Sequence, residues 1–191
     1  WNFGFARTVV LATYSTPKKV PTLTVREFTT FTDDTNRANY TATETFTKGK
    51  AVKVTKTGTS ATGYPSGHPV SAVGSLSAIW VNTAATGNVR AVIISPSGDL
   101  LQVHAYGFCS PVPCNWGTVN GITFGPSVSA TTGSTFLAPY KFGFANKLLD
   151  GTVNAAGTLL TVRIWTEFTD HSGRSNYLST NTFVPLRQTV S

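Results

Sequence analysis

Charge is scarce in this chain. Only 12% of its 191 residues are Asp, Glu, Lys or Arg, about half the usual share, so the lysine and glutamate cover of most cytosolic enzymes is missing. Methionine is absent and cysteine occurs twice. No apolar run approaches the length of a membrane-spanning helix. The start, WNFGFARTVVLATYS, lacks the charged-then-apolar order of a signal peptide, and no window keeps a helical period of useful length. There is no phosphate loop, dinucleotide fingerprint or calcium loop, so no cofactor and no metal are expected.

What is present is small and polar or small and apolar. Thr, Ser, Gly, Ala and Val are abundant, and 40% hydrophobic residues can furnish the core of one large domain or two small ones. That balance suits extracellular surfaces and assembled fibres. The chain does not open on Met, and an exported product from which a signal has been removed is the expectation. The net charge of +7 is uneven, because Lys48, Lys50, Lys53 and Lys56 crowd one stretch. A cationic stretch can attract nucleic acid, anionic glycans or an acidic cell surface. A solvated basic linker is the favoured reading, since no aromatic residue is interleaved with those lysines as single-strand binding requires.

The chain repeats itself. LTVREFTTFTDDTNRANYTATETF, residues 23–46, returns as LTVRIWTEFTDHSGRSNYLSTNTF, residues 160–183, with fourteen identical positions and no gap. Self-similarity on that scale is an architectural signal. It extends backwards, since WNFGFARTVVLA from Trp1 matches YKFGFANKLLDG from Tyr140, after which the first copy is two residues longer. Residues 1–46 therefore mirror residues 140–183, whereas residues 76–139 have no earlier counterpart. The expected organisation is a half repeat over 1–47, a basic linker or arm rich in Gly, Pro, Ser and Thr over 48–75, and a complete repeat over 76–191.

The local patterns predict an all-β fold. In LTVRIWTEF, Leu160, Val162, Ile164 and Phe168 share one parity, and Thr161, Arg163, Trp165 and Glu167 the other, the period of a half-buried strand. Leu23, Val25 and Phe31 repeat the core parity. Further strands are expected in SAIWVNT, VRAVIIS, LLQVHAYG, GTVNGITFG, APYKFGFANKLL and NYLSTNTFVPL, with SPSGD at Ser95–Asp99 as a hairpin turn. The full repeat then has about seven antiparallel strands in a meander, closed as a small barrel or folded as a sandwich. The half repeat has about three, too few to bury a core or close its edges. It must be completed within the chain or by strands of another molecule, and the second route gives head-to-tail assembly.

Candidate site residues follow from the same comparison. FTDDTNRANY and FTDHSGRSNY place Asp33, Arg37, Asn39 and Tyr40 against Asp170, Arg174, Asn176 and Tyr177. Such a turn either clasps two strands together, with Gly173 supplying positive φ, or grips a sugar or small ligand; the clasp is the favoured reading. Trp165, matched by Phe28, has outward parity beside Arg163 and Arg26, and together with Trp1 is an interface candidate. Glu27 is a charge at the core parity where the second copy has Ile164, which suggests that the half repeat is paired differently, with that position near water or a cationic partner. Cys109 and Cys114 frame CSPVPC. A disulfide across a proline-stiffened loop is favoured over a metal site, which needs two more ligands where His104 is the only near candidate, and over a redox pair, which wants C-x-x-C at a helix start. His68, His104 and His171 form no readable triad, and Glu167 with Asp170 is not part of the repeated plan.

Taken together, FCSPVPCNWG, YKFGFANKLL and LTVRIWTEFTDHSGRSNY resemble a secreted bacterial β-domain that recurs in otherwise unrelated proteins and has no established activity. The resemblance covers residues 76–187, and residues 1–46 as the second half of the same unit. It implies export and a Cys109–Cys114 pairing, and it carries no catalytic residues across. The leading expectation is an extracellular structural or adhesive protein that self-assembles through strand complementation. A secreted carbohydrate- or ligand-binding module, with glycans or acidic surfaces as partners, is the alternative, and an enzyme is a distant third.

Overall fold

The computed structural model describes residues 5–31, 33, 37–47, 74–84, 86–97 and 100–186, leaving aside the side chains of Lys18 and Leu100. Its strands form two antiparallel sheets in two compact units. In the first, β1 (Ala6–Ser15), β2 (Thr22–Phe31) and β3 (Tyr40–Thr47) lie in sequence order. The second is a closed barrel of eight strands: β4 (Ala78–Asn82), β5 (Val89–Ser97), β6 (Leu100–Gly107), β7 (Cys114–Phe124), β8 (Thr135–Lys141), β9 (Ala145–Val153), β10 (Leu160–Phe168) and β11 (Tyr177–Pro185). Each strand pairs with its successor, and β11 returns to β4 through Phe183↔Asn82 and Pro185↔Trp80.

The architecture is thus a barrel rather than a sandwich, with one strand more than the seven expected. The extra strand comes from APYKFGFANKLL, which the apolar run makes look continuous. A tight turn breaks it, where the Phe142 N–H donates to the Ala145 carbonyl at 2.8 Å, so Tyr140 belongs to one strand, which ends at Lys141, and Leu149 to the next. Closing the barrel leaves the complete repeat without open edges, and an eight-stranded barrel is narrow enough for side chains to fill.

Alternation along the strands puts Leu160, Val162 and Ile164 inside, as the sequence pattern predicts, together with Trp80, Val92, Ile94, Leu101, Val103, Phe136, Leu149 and Phe183. The two polar handles in this core are satisfied. Trp80 Nε1 donates to the Leu76 carbonyl at 2.9 Å, and the Tyr140 hydroxyl donates to the Val103 carbonyl at 2.6 Å. Burial pushes the Tyr140 phenol above its usual range, so it remains a neutral donor. Gly151 sits beneath the Phe136 ring, and a Cβ there would overlap it.

Two boundaries differ from expectation. Most of the basic linker, residues 48–73, lies outside the described residues. Its end, Gly74–Leu76, is a single 3-10 turn whose Leu76 is buried in the barrel core, so the barrel unit begins before residue 76. The segment Gly125–Thr131, between β7 and β8, belongs to the unit of the three-stranded sheet. Within that unit Thr41 N–H donates to the Gly125 carbonyl at 3.1 Å, Gly125 N–H to the Asn39 carbonyl at 2.8 Å, and Ala38 N–H to the Val128 carbonyl at 3.0 Å. Nothing in the spacing of TFGPSVSATT marks it as a partner of distant Asn39. At the predicted hairpin, β5 continues through Ser95 and Pro96 to Ser97, which pairs with Leu100.

Candidate functional site

The repeat is structural down to its register. Ala6↔Phe31 in β1 and β2 stands where Ala145↔Phe168 stands in β9 and β10, and Val10↔Glu27 stands where Leu149↔Ile164 stands. Across the next pair, Leu23↔Phe46 in β2 and β3 matches Leu160↔Phe183 in β10 and β11. The two-residue difference in length between the copies is absorbed in the connection between the first two strands, and every ladder partner is kept. Glu27 therefore keeps the ladder partner of Ile164, and the half repeat differs from the barrel in its outer strand neighbours rather than on this rung. Glu27 occupies the same rung and faces the same side.

The repeated turn builds the same clasp twice. The Asn39 side-chain carbonyl accepts the Phe31 N–H at 3.1 Å, and that of Asn176 accepts the Phe168 N–H at 2.9 Å. Arg37 pairs with Asp33, and Arg174 with Asp170. The guanidinium of Arg37 lies 4.0 Å from the Phe31 ring centroid and 5.4 Å from that of Phe5; Arg174 lies 3.9 Å from Phe168 and 5.5 Å from Phe144. Tyr40 packs on Phe31 with centroids 6.1 Å apart, and Tyr177 on Phe168 at 6.0 Å.

Each arginine is thus held by a carboxylate below and aromatic faces beside it, an arrangement that locks the strand ends together. In the second copy Gly173 adopts a φ of 73°, the left-handed conformation its position calls for. The Ser172 hydroxyl, and after it the Arg174 guanidinium, hold the Asp170 carboxyl below the usual carboxylate range. Asp170, Ser172 and Arg174 are spent on one another, whereas the Tyr177 hydroxyl donates to Asn88 Oδ1 at 3.1 Å. Phe5 and Phe144, the outer faces of the sandwich, are the members that sequence reasoning missed, although the repeated FGFA spacing carried them.

The inner faces of the two three-strand sets differ in what covers them. In the barrel the row Val153, Leu160, Phe183 is 5%, 0% and 0% exposed. The corresponding row of the first sheet, Tyr14, Leu23 and Phe46, is 67%, 39% and 44% exposed. In the barrel β9 takes β8 as its outer neighbour and β11 takes β4, whereas among the described residues β1 pairs with β2 alone, and β3 beyond Thr41 pairs with β2 alone. A cavity of about 530 Å³ opens on this face, lined by Phe5, Ala6, Thr8, Glu27, Thr29, Phe31 and Tyr40. At the matching place in the barrel, Lys147 stands over the Trp116 ring at 5.3 Å. On the outward face Phe28 is buried, with Arg26 5.0 Å from its ring centroid, while its rung partner Val9 is 46% exposed.

The remaining candidates are spread over the barrel. Cys109 and Cys114 form a disulfide, with Cα atoms 5.4 Å apart. Trp165 is half-buried at outward parity between Leu148 and Leu178, its indole N–H buried without a hydrogen-bond partner among the described residues. Its neighbour Arg163 stands 3.6 Å from buried Asp150. A cavity of about 560 Å³ brings Trp165 together with Asn176, Tyr177, Glu167, Asn146 and Lys141, but not with Asp170 or Arg174. His104 Nδ1 lies 2.8 Å from the Thr118 hydroxyl, and His171 sits exposed in the repeated turn. Trp1 and His68 lie outside the described residues. Among the described residues no group of three or more His, Cys, Asp or Glu is placed to hold a metal ion, and no helix is long and apolar enough to cross a membrane.

Comparison with protein-family models, curated proteins and solved structures finds no match.

Proposed function

We propose that this chain is a structural or adhesive extracellular protein, a subunit joined to its neighbours by strand complementation at the β1–β2–β3 sheet. The observation that carries the reading is the open inner face. Tyr14, Leu23 and Phe46 sit on rungs whose counterparts form a barrel core, and each forgoes part of the about 1.5–3 kcal/mol that full burial of a large apolar side chain returns. Among the described residues the outer side of β1, and that of β3 beyond Thr41, has no strand neighbour, and main-chain donors and acceptors there would take an added strand whose register the alternating inner side chains would set. The disulfide and the sparse charge favour an oxidising, extracellular setting. Electron microscopy of the native material tests the assembly: filaments or ordered arrays are expected, and dispersed single particles at high concentration would sink the reading.

The cavity beside Trp165 favours a second reading, a carbohydrate- or ligand-binding module. It joins the aromatic surfaces of Trp165 and Tyr177 to the polar groups of Asn146, Glu167 and Asn176, and its volume is that of a small-molecule site. A glycan array probed with the intact chain tests it. A signal lost on Trp165→Ala supports the module, and an array without signal removes it.

A further inference from the structure

The sheet's inner face also states which strands it accepts. Among the described residues the chain holds one five-strand set, β4–β8, and two three-strand sets, β1–β3 and β9–β11. The five-strand set is already closed on β9–β11. A second copy could donate its β4–β8 only by opening its own barrel, which exchanges one closed barrel for another and always leaves a three-strand set uncovered. Donation between identical chains therefore gains no net burial.

Side chains on the inner face weigh further against a second copy. Ala12 occupies the rung of Gly151: Ala12↔Val25 in β1 and β2 matches Gly151↔Val162 in β9 and β10. A Cβ at Gly151 would overlap the Phe136 ring of β8, so the β8 of a second copy, laid along β1 as it lies along β9, would drive Phe136 into Ala12. Glu27 stands for Ile164, and burying its carboxylate against the apolar wall that Ile164 meets would cost several kcal/mol without a partner. Glu44 stands for Asn181, since Val25↔Glu44 matches Val162↔Asn181. In the barrel Asn181 Oδ1 accepts from Asn82 Nδ2 at 3.1 Å. A carboxylate at that place still accepts, and it accepts best from a donor that carries charge.

We propose that the β1–β2–β3 sheet is completed by five antiparallel strands of the β4–β8 type other than residues 78–141 of this chain, and that Ala12, Glu27 and Glu44 select them. The selected strands carry a small side chain in the place of Phe136 and a hydrogen-bond donor or cation facing Glu44 and Glu27. This rests on the strand-complementation reading and narrows it: the covering half comes from a related but different barrel sequence. Discrimination of this kind needs an element that repels the wrong strands as well as one that attracts the right ones, and Ala12 supplies the repulsion.

The test extends the full chain at Trp1, the counterpart of Tyr140, with a second copy of residues 76–139. All three versions carry Glu27→Ile and Glu44→Asn, so that only the Ala12 position is tested: in one the added copy is unchanged, in one it has Phe136→Val, and in one the unchanged addition is paired with Ala12→Gly. Amide hydrogen exchange is read over residues 6–15 and 40–47. The second and third versions should slow exchange there by about tenfold or more relative to the unextended chain, and the first by much less. Equal slowing in all three would overturn selection by Ala12. Sedimentation of the unextended chain separates this proposal from the reading beneath it. Oligomers with slowed exchange at those residues mean that copies complete one another, which refutes the selection and keeps complementation. Monomers, with no slowing in any extended version, refute both.

Discussion

Leu23 faces Phe46 across β2 and β3, and the two remain 39% and 44% exposed on the rung where Leu160 and Phe183 are sealed in the barrel core. Identical residues on identical rungs thus have opposite environments. The difference lies in the five strands that cover one set, since the local sequence and the register are shared.

That pairing separates two otherwise equivalent truncations. Leu160→Ala removes a fully enclosed side chain and should destabilise the barrel by about 2–5 kcal/mol. Leu23→Ala in the isolated chain should change stability by less than about 1 kcal/mol. Denaturant titration of both variants checks the asymmetry. In assembled material Leu23→Ala should acquire a cost close to that of Leu160→Ala.

Gly151→Ala should destabilise the barrel by about 1–3 kcal/mol, because the added methyl meets the Phe136 ring in a filled interior. Ala12→Gly, the reverse change on the matching rung of β1, should cost only about 0.5–1 kcal/mol through backbone entropy. Thermal unfolding of the two variants against the parent chain measures both.

The clasp at Asp170 has a signed pH dependence. Its carboxyl is held below the usual carboxylate range by Ser172 and Arg174, so at acid pH the unfolded chain binds its proton first. The contribution to stability is present above the unfolded pKa and is lost as pH falls through the lowered folded value. Asp170→Asn should therefore flatten the acid limb of a stability-against-pH curve and leave its slope above pH of about 6 unchanged. Arg37→Ala should cost more than Arg174→Ala, because Arg37 is buried and Arg174 is exposed.

Reduction of the Cys109–Cys114 bond frees a short loop between β6 and β7. The chain-entropy cost of so small a loop is about 2 kcal/mol, and Cys109→Ser with Cys114→Ser should lose that amount in denaturant titration without opening the barrel.

Much of this fold is legible in the sequence because the repeat and the strand period are both local signals. The parity of Leu160, Val162 and Ile164 names the core face correctly, and the match of residues 23–46 with 160–183 identifies a unit of three strands. The eighth barrel strand is hidden, since Tyr140 to Leu149 reads as one apolar run and the turn at Phe142 depends on a backbone bond rather than on proline or asparagine. The association of Gly125–Thr131 with Asn39 and Thr41 is hidden for a different reason: it is a long-range backbone pairing with no side-chain signature. Glu27 illustrates a third limit. A charge at a core position marks an unusual environment, but the sequence alone does not say that the rung is kept and that what differs is the cover.

The most direct measurement compares amide hydrogen exchange at residues 6–15 and 40–47 in the native material and in the dispersed chain. Completion of the sheet by added strands predicts that exchange of the β1 and β3 edges slows in the native material to the rate of the matching residues in β9 and β11. Edges that exchange equally fast in both states would contradict it.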